Sequence, residues 1–273
     1  MNGIIQNGYM KLTKRLFPLA LKRILAICAA VFVLTMLLIT ASVGEYNFAR
    51  TYEALMVRAG IRYLFLAAVA FWMLSEAAAI HSENFRSGGV YTLMMLPTPR
   101  RSVFLAYCTR GVVCVLLLWA VQTAALFTAY APSVAICERA AASFAQIQAV
   151  PVPYEMARTN GLFLAVIRSD LFRILLPQSV PEAASSLLAL LAAGCLPAYM
   201  LAVGGARRSN AAQSVFAVGG AACVLWALGC RFNSITMSID HTAFFASLAL
   251  MAILAAGAVA DGIHRLNRDA NLV

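Results

Sequence analysis

Residues 81–101 read HSENFRSGGVYTLMMLPTPRR, a short mixed segment between two long apolar stretches. The stretches on either side, 61–80 and 102–130, each reach the roughly 20 residues that a helix needs to cross about 30 Å of hydrocarbon. The segment itself carries charges, two adjacent glycines and an apolar run that ends in two prolines. This pattern predicts a loop with its own short amphipathic helix, on which a soluble partner acts.

The composition indicates that lipid is the main solvent of this chain. Of its 273 residues, 62% are hydrophobic and 12% are charged, and the mean hydropathy is +0.82. A soluble domain carries about 25% charged residues. We therefore predict a single all-α integral membrane domain rather than two soluble domains.

The apolar runs predict six transmembrane helices preceded by an N-terminal interfacial amphipathic helix. The interfacial helix covers 1–23, is basic on one face and bends at Pro18 into the first span. A solvated basic tail is the alternative for these residues. The predicted spans are 24–43, 61–80, 102–130, 183–204, 211–230 and 242–260, with a bend at Pro197 in the fourth.

The longest predicted connection is an external loop over 131–182. Within it, 161–176 is apolar but contains Arg168, Asp170 and Arg173. Each such charge at the centre of a bilayer costs about 2.5–3.5 kcal/mol. We therefore expect an interfacial helix at 161–176, and a seventh span is the alternative.

The distribution of charge favours six spans with both termini in the cytoplasm. The segments then placed inside carry 12 Lys and Arg against 3 Asp and Glu, whereas the outer segments carry 8 against 7. Lys and Arg accumulate on the cytoplasmic side of membrane proteins. A seventh span at 161–176 would move Arg207 and Arg208 outside and weaken this bias. Topology thus accounts for the net charge of +10, and we predict no nucleic-acid partner.

The sequence contains no nucleotide-binding motif G-x-x-x-x-G-K-[ST], no H-E-x-x-H and no G-x-S-x-G. Its seven cysteines include no C-x-x-C pair, which predicts small apolar packing residues and neither a disulfide framework nor a zinc site. We therefore predict that the chain is not an enzyme and carries no cofactor.

Two ionisable residues lie inside predicted spans. Glu76 is about one turn above the inner end of the second span, and Arg110 is about two turns above the start of the third. Because the two depths are similar, we predict that they pair. The pair either fixes the two spans against each other or changes as the helices move; two separate snorkelling side chains are the remaining alternative.

Glycines recur through the later predicted spans and permit close helix packing. Packing within the chain and a subunit interface both remain open for them. They are Gly194, Gly204, Gly205, Gly219, Gly220 and Gly257.

The central segment resembles that of the ABC-2 type membrane subunits of ABC transporters, which carry E-x-x-R-x-G, a short apolar run and L-P-x-x-R after the second span. The corresponding residues here are Glu83, Arg86, Gly88, Gly89, Tyr91, Leu93, Leu96, Pro97 and Arg100. The resemblance implies a non-catalytic permease subunit, with 83–96 as a coupling helix that docks on a separate ATPase subunit. ATP and Mg²⁺ would then be held by that partner.

The resemblance also implies a second copy of the chain or a homologous permease subunit, membrane lipid as surroundings, and export across a bacterial plasma membrane. The chain departs from the family in its outer loops, because only about 11 residues separate its last two spans. We therefore carry over no substrate residues. The alternatives are an ATP-independent carrier or channel, and a membrane assembly or sensor protein.

Overall fold

The computed structural model describes residues 2–43, 51–85, 100–148, 161–203, 210–236 and 241–268. Every regular element in these ranges is a helix, which confirms the all-α class. Helices suit these apolar runs because backbone polar groups in lipid must be bonded within the segment. In chain order they are α1 (Asn2–Ser42), α2 (Tyr52–Arg58), α3 (Ile61–Phe85), α4 (Arg100–Gln148), α5 (Gly161–Arg168), α6 (Asp170–Leu175), α7 (Val180–Ala198), α8 (Met200–Val203), α9 (Asn210–Thr236) and α10 (His241–Arg268).

Five helices in the described ranges are long and apolar enough to cross a membrane. Their apolar segments are Ala20–Ser42, Ile61–Ser82, Arg101–Ser143, Val180–Ala198 and Phe244–His264. These segments correspond to the first four predicted spans and the sixth. The fifth predicted span falls in α9, whose apolar segment in the described part of the chain, Val218–Phe232, is shorter than a full crossing.

Two helices run further than the sequence predicts. Helix α1 is continuous across Pro18, so no break separates the predicted interfacial helix from the first span. Helix α4 is 49 residues long and contains Pro132 in its interior. Residues 131–148, predicted as the beginning of the external loop, therefore continue the helix of the third span. An internal proline removes one backbone hydrogen bond, and here the helix continues on both sides of it.

A left-handed glycine separates α2 from α3. Gly60 has a φ of 68°, and its N–H donates to the carbonyl of Val57 at 3.1 Å. The N–H of Ala59 donates to Leu55 at 2.8 Å, so the last carbonyls of α2 are capped as the chain turns. A side chain at residue 60 would strain this turn, which fixes where α3 begins.

The regular helix of the fourth predicted span ends at Ala198, before the predicted end of that span at residue 204. Helix α7 stops at Ala198, Tyr199 lies in a turn, and α8 follows for four residues. The N–H of Tyr199 is shared between the carbonyls of Cys195 (3.2 Å) and Leu196 (3.1 Å). Because Pro197 cannot donate to the preceding turn, the hydrogen-bond pattern changes at this point.

The helices group into two compact units. The first unit comprises Met1–Ala26, Val69–Leu117 and Ser185–Val273, and the second comprises Ile27–Ala68 and Leu118–Ala184.

In the second unit, the region predicted as one interfacial helix forms two short helices, α5 and α6, separated by Ser169. Helix α6 buries four apolar side chains, among them Phe172, whose ring centroid lies 5.5 Å from that of Phe127 on α4. Burial raises the pKa of Asp170 at the start of α6, an effect that Arg173 and Arg62 oppose. Neither helix is among the candidate membrane spans.

Tyr52 joins α2 to α4 inside the same unit. Its side chain is buried, and its hydroxyl donates to the carbonyl of Leu126 at 2.6 Å. Its ring also meets that of Tyr130 edge to face, with centroids 5.2 Å apart. Burial, with Tyr130 adding to it, raises the pKa of Tyr52, which favours the protonated hydroxyl that donates this hydrogen bond.

Tyr52→Phe should destabilise the folded chain by about 1 kcal/mol, since it removes one hydrogen bond and leaves the ring in place. The readout is the midpoint of thermal unfolding of the purified protein in detergent. Tyr63→Phe is the control, because Tyr63 is exposed and its hydroxyl only accepts from Arg62. Equal midpoints for Tyr52→Phe and the wild type would show that this hydrogen bond does not stabilise the fold.

Candidate functional site

Charged side chains buried inside apolar helices mark the candidate site. Glu76 on α3 is 2% exposed and Arg110 on α4 is fully buried, although both lie in candidate membrane spans. Ionisable groups at such depth are costly unless they are paired, and they concentrate at functional positions in membrane proteins.

The structure brings Glu76 and Arg110 together and adds a third residue, Arg23. Arg110 Nη2 donates to Glu76 Oε1, and Arg23 Nη2 donates to Glu76 Oε2 at 3.0 Å. Arg23 Nη1 also donates to the carbonyl of Ser75 at 3.1 Å. The guanidinium of Arg110 lies 4.4 Å from the ring centroid of Tyr107. We call Arg23, Glu76 and Arg110 the charge cluster.

The charge cluster contacts three helices, α1, α3 and α4, through one carboxylate. Both carboxylate oxygens of Glu76 accept from a guanidinium, so neither serves as a general base or a metal ligand in this arrangement. Two positive groups share one negative group, which leaves an excess charge of one unit. Because Arg23 is 31% exposed, it is the member whose charge solvent or headgroups can reach.

Sequence reasoning missed Arg23 as a member of the cluster. The sequence places it at the end of the predicted interfacial helix, among the basic residues that precede the first apolar run. The signal was its position one residue before the first apolar run, at the same end as Glu76 and Arg110. Because α1 is one continuous helix, Arg23 precedes the first span at the same end at which Glu76 and Arg110 lie in the second and third.

Two further ionisable residues lie within the helices rather than in the connections predicted for them. Arg231, expected in the loop after the fifth span, is 1% exposed on α9 and donates to Ser186 Oγ of α7 at 2.8 Å. Asp261, expected in the polar tail, lies in the candidate span of α10 and accepts a hydrogen bond from the Tyr199 hydroxyl. Both partners are distant in sequence, so no local pattern marks these contacts.

Helices α4 and α7 touch through two glycines. A Cβ on Gly194 would lie 2.5 Å from the backbone nitrogen of Val112, and a Cβ on Gly111 would lie 2.9 Å from the carbonyl carbon of Gly194. Real Cβ atoms do not approach backbone this closely, so both positions require glycine. We call this contact the glycine crossing. Of the two alternatives for the glycines of the later spans, Gly194 therefore serves helix packing within the chain.

The other glycines of the later spans differ from Gly194. A Cβ on Gly219 or Gly257 would meet nothing within 4 Å, and one on Gly220 would meet only Leu196 side-chain carbons at 3.6 and 3.7 Å. Gly204 and Gly205 lie outside the described residues. Within the described part of the chain, therefore, neither Gly219 nor Gly257 makes a contact that requires glycine.

The predicted docking residues fall at the limits of the described ranges. Glu83 lies in the last turn of α3 and Arg100 is the first residue of α4; both are helical in backbone, and their side chains are outside the description. The remaining docking residues lie outside the described ranges: Arg86, Gly88, Gly89, Tyr91, Leu93, Leu96 and Pro97.

The residues described form no group of three or more His, Cys, Asp and Glu side chains that would hold a metal ion. Comparison of the chain with family models, with curated proteins and with solved structures gives no match.

Proposed function

We propose that the chain is the non-catalytic membrane subunit of an ABC transporter of the ABC-2 type, driven by a separate ATPase subunit that docks on 83–96. Supporting this is the motif from Glu83 to Arg100, in a connection between two helices apolar enough to cross a membrane. The proposed transporter is an exporter in a bacterial plasma membrane, with both termini in the cytoplasm. Its six spans are the five candidate spans and α9, which is the fifth of the six along the chain.

One observation carries the proposal furthest: the docking segment is attached at both ends to long helices. Helix α3 continues to Phe85 and α4 begins at Arg100, so only 14 residues connect two long helices. A displacement imposed on this connection is transmitted to α3 and α4, the helices at its two ends. ATP and Mg²⁺ act on the partner, and nucleotide-driven closure of two ATPase subunits supplies the displacement.

The charge cluster supports the same mechanism. Glu76 precedes Glu83 by about two helical turns, and Arg110 follows Arg100 by about three. The ion pair thus ties α3 to α4 close to the docking segment. The two helices then respond to the ATPase as one element. A pathway for cargo needs more spans than one chain supplies, so a second copy or a homologous subunit completes the transporter.

Arg231 favours a second candidate, an ATP-independent carrier or channel. Such proteins use ionisable groups at depth, and Arg231 is buried in an apolar helix. This candidate gives the 83–96 segment no docking role, which makes the two functions separable by experiment.

Glu83→Lys and Arg86→Glu should each abolish recovery of a soluble ATPase with the tagged chain, while membrane insertion stays normal. The measurement is affinity purification from native cells in a mild detergent, followed by mass spectrometry of the co-purified proteins. Glu138→Lys and Arg139→Glu are matched controls, because both residues are exposed on α4 and away from the segment. These controls should retain the ATPase.

Two results would contradict the proposal. Recovery of the wild-type chain without an ATPase, in a detergent that preserves known transporter complexes, would favour the ATP-independent carrier. Retention of the ATPase by both Glu83→Lys and Arg86→Glu would place any docking surface elsewhere on the chain.

A further inference from the structure

Two cysteines from different helices meet next to the glycine crossing. Cys108 lies on α4, three residues before Gly111, and Cys195 on α7 directly follows Gly194. Each is 5% exposed, so both thiols are buried beside the contact between the two helices. The chain's other cysteines are Cys28, Cys114, Cys137, Cys223 and Cys230.

The glycine crossing brings the backbones of the two helices that carry these cysteines into contact. A disulfide requires Cα atoms about 4.4–6.8 Å apart, a separation that helices rarely reach unless small residues let their backbones touch. At this crossing the backbones do touch, since a Cβ on Gly194 would overlap Val112. Cys108 and Cys195 lie next to this contact on their respective helices, and a disulfide between them would have an S–S length of about 2.05 Å.

We propose that Cys108 and Cys195 form a redox modification site, at which oxidation to a disulfide fastens α4 to α7. This inference is independent of the proposed transport function. The site is buried in apolar helices, so its oxidant is a lipid-soluble acceptor of two electrons and two protons, such as a quinone. Water-soluble oxidants and charged alkylating reagents reach it poorly.

The reaction balances as a two-electron oxidation. The S–H bonds of Cys108 and Cys195 break, one S–S bond forms, and the acceptor takes up both electrons and both protons. A quinone leaves as the hydroquinone. Dithiol reductants reverse the reaction by thiol–disulfide exchange once the bond becomes accessible.

The test uses the full-length chain in native membranes. The membranes are treated with diamide, a membrane-permeable diazene that oxidises thiols to disulfides. Free thiols are then alkylated, and the protein is digested without reduction and mapped by mass spectrometry. We expect one linked species containing the Cys108 and Cys195 peptides, with loss of alkylation at both positions together. Dithiothreitol before digestion should restore both alkylated peptides, and the oxidised protein should unfold at a higher temperature than the reduced form.

Cys108→Ala and Cys195→Ala should each eliminate the linked species, whereas Cys137→Ala should keep it. Cys137 is the matched control, because it lies on the same helix α4 and is also buried. The peptide map of the oxidised wild-type protein tests the proposal even if an alanine variant folds poorly. The proposal is overturned if Cys108 and Cys195 remain alkylatable when the partly exposed Cys223 and Cys230 are fully oxidised. It is equally overturned if either residue is found linked only to another cysteine.

Discussion

Gly194→Leu is expected to prevent most of the chain from reaching its folded form. The first side-chain atom would lie 2.5 Å from the nitrogen and 2.7 Å from the Cα of Val112, and both are backbone atoms. A backbone cannot rotate aside as a side chain does, so the two helices must separate. Overpacking ordinarily costs about 1–3 kcal/mol, and we expect this substitution to exceed that range. The measurement is the yield of monodisperse protein by size-exclusion chromatography, together with its unfolding midpoint.

Gly257→Leu is the matched control for this prediction. It makes the same change in another candidate span, at a position where a Cβ meets nothing within 4 Å. It should give yield and midpoint close to those of the wild type, because leucine also favours helix over glycine. Gly194→Ala should show a smaller defect than Gly194→Leu. If Gly194→Leu and Gly257→Leu behave alike, α4 and α7 do not touch through their backbones.

Glu76→Gln should be the most destabilising change of a single charge in the described chain. It leaves the fully buried Arg110 facing a neutral amide, and breaking a buried ion pair costs about 3–5 kcal/mol. Arg23→Gln should cost only about 1 kcal/mol, because Arg23 is 31% exposed and solvent screens its charge. Unfolding midpoints in detergent, compared across these variants, measure the difference.

A double-mutant cycle isolates the pair itself. Glu76→Gln with Arg110→Gln should be more stable than the sum of the two single effects predicts, since neither charge is then left alone. Glu138→Gln, on the exposed face of α4, should leave the midpoint unchanged. Additive effects of Glu76→Gln and Arg110→Gln would show that the two side chains do not interact in the folded protein.

The sequence predicts those parts of the fold that depend on local pattern. The start of the second span at residue 61 follows from an apolar run after Gly60, and α3 begins at Ile61. The depths of Glu76 and Arg110 could be compared because both positions are counted from the ends of adjacent spans. These predictions require only helix geometry and the thickness of a bilayer.

Other parts depend on contacts between distant residues, which no local pattern contains. The buried Arg231 donates to Ser186, 45 positions away, and the half-buried Asp261 accepts from Tyr199, 62 positions away. Among the described glycines of the later spans, Gly194 alone meets backbone, because Gly111 and Val112 face it from another helix. The length of α4 was missed because 131–182 was assigned to an external loop, whereas the helix continues to Gln148.

The length of α4 has a consequence for how the chain is solvated. Its apolar segment covers 43 residues, about 65 Å at 1.5 Å per residue, against a hydrocarbon layer of about 30 Å. Even a tilt of about 40°, the upper end of what membrane helices adopt, immerses only about 26 residues. Hydrophobic mismatch of this size is too large for lipid to absorb.

Counted from Ser102, the part of α4 beyond the hydrocarbon begins near Phe127. There Phe127 packs on Phe172 of α6, and Tyr130 packs on Tyr52 of α2. These contacts cover part of the apolar surface of α4 with protein side chains of the same unit, so this part of the helix does not depend on lipid alone for its apolar surroundings.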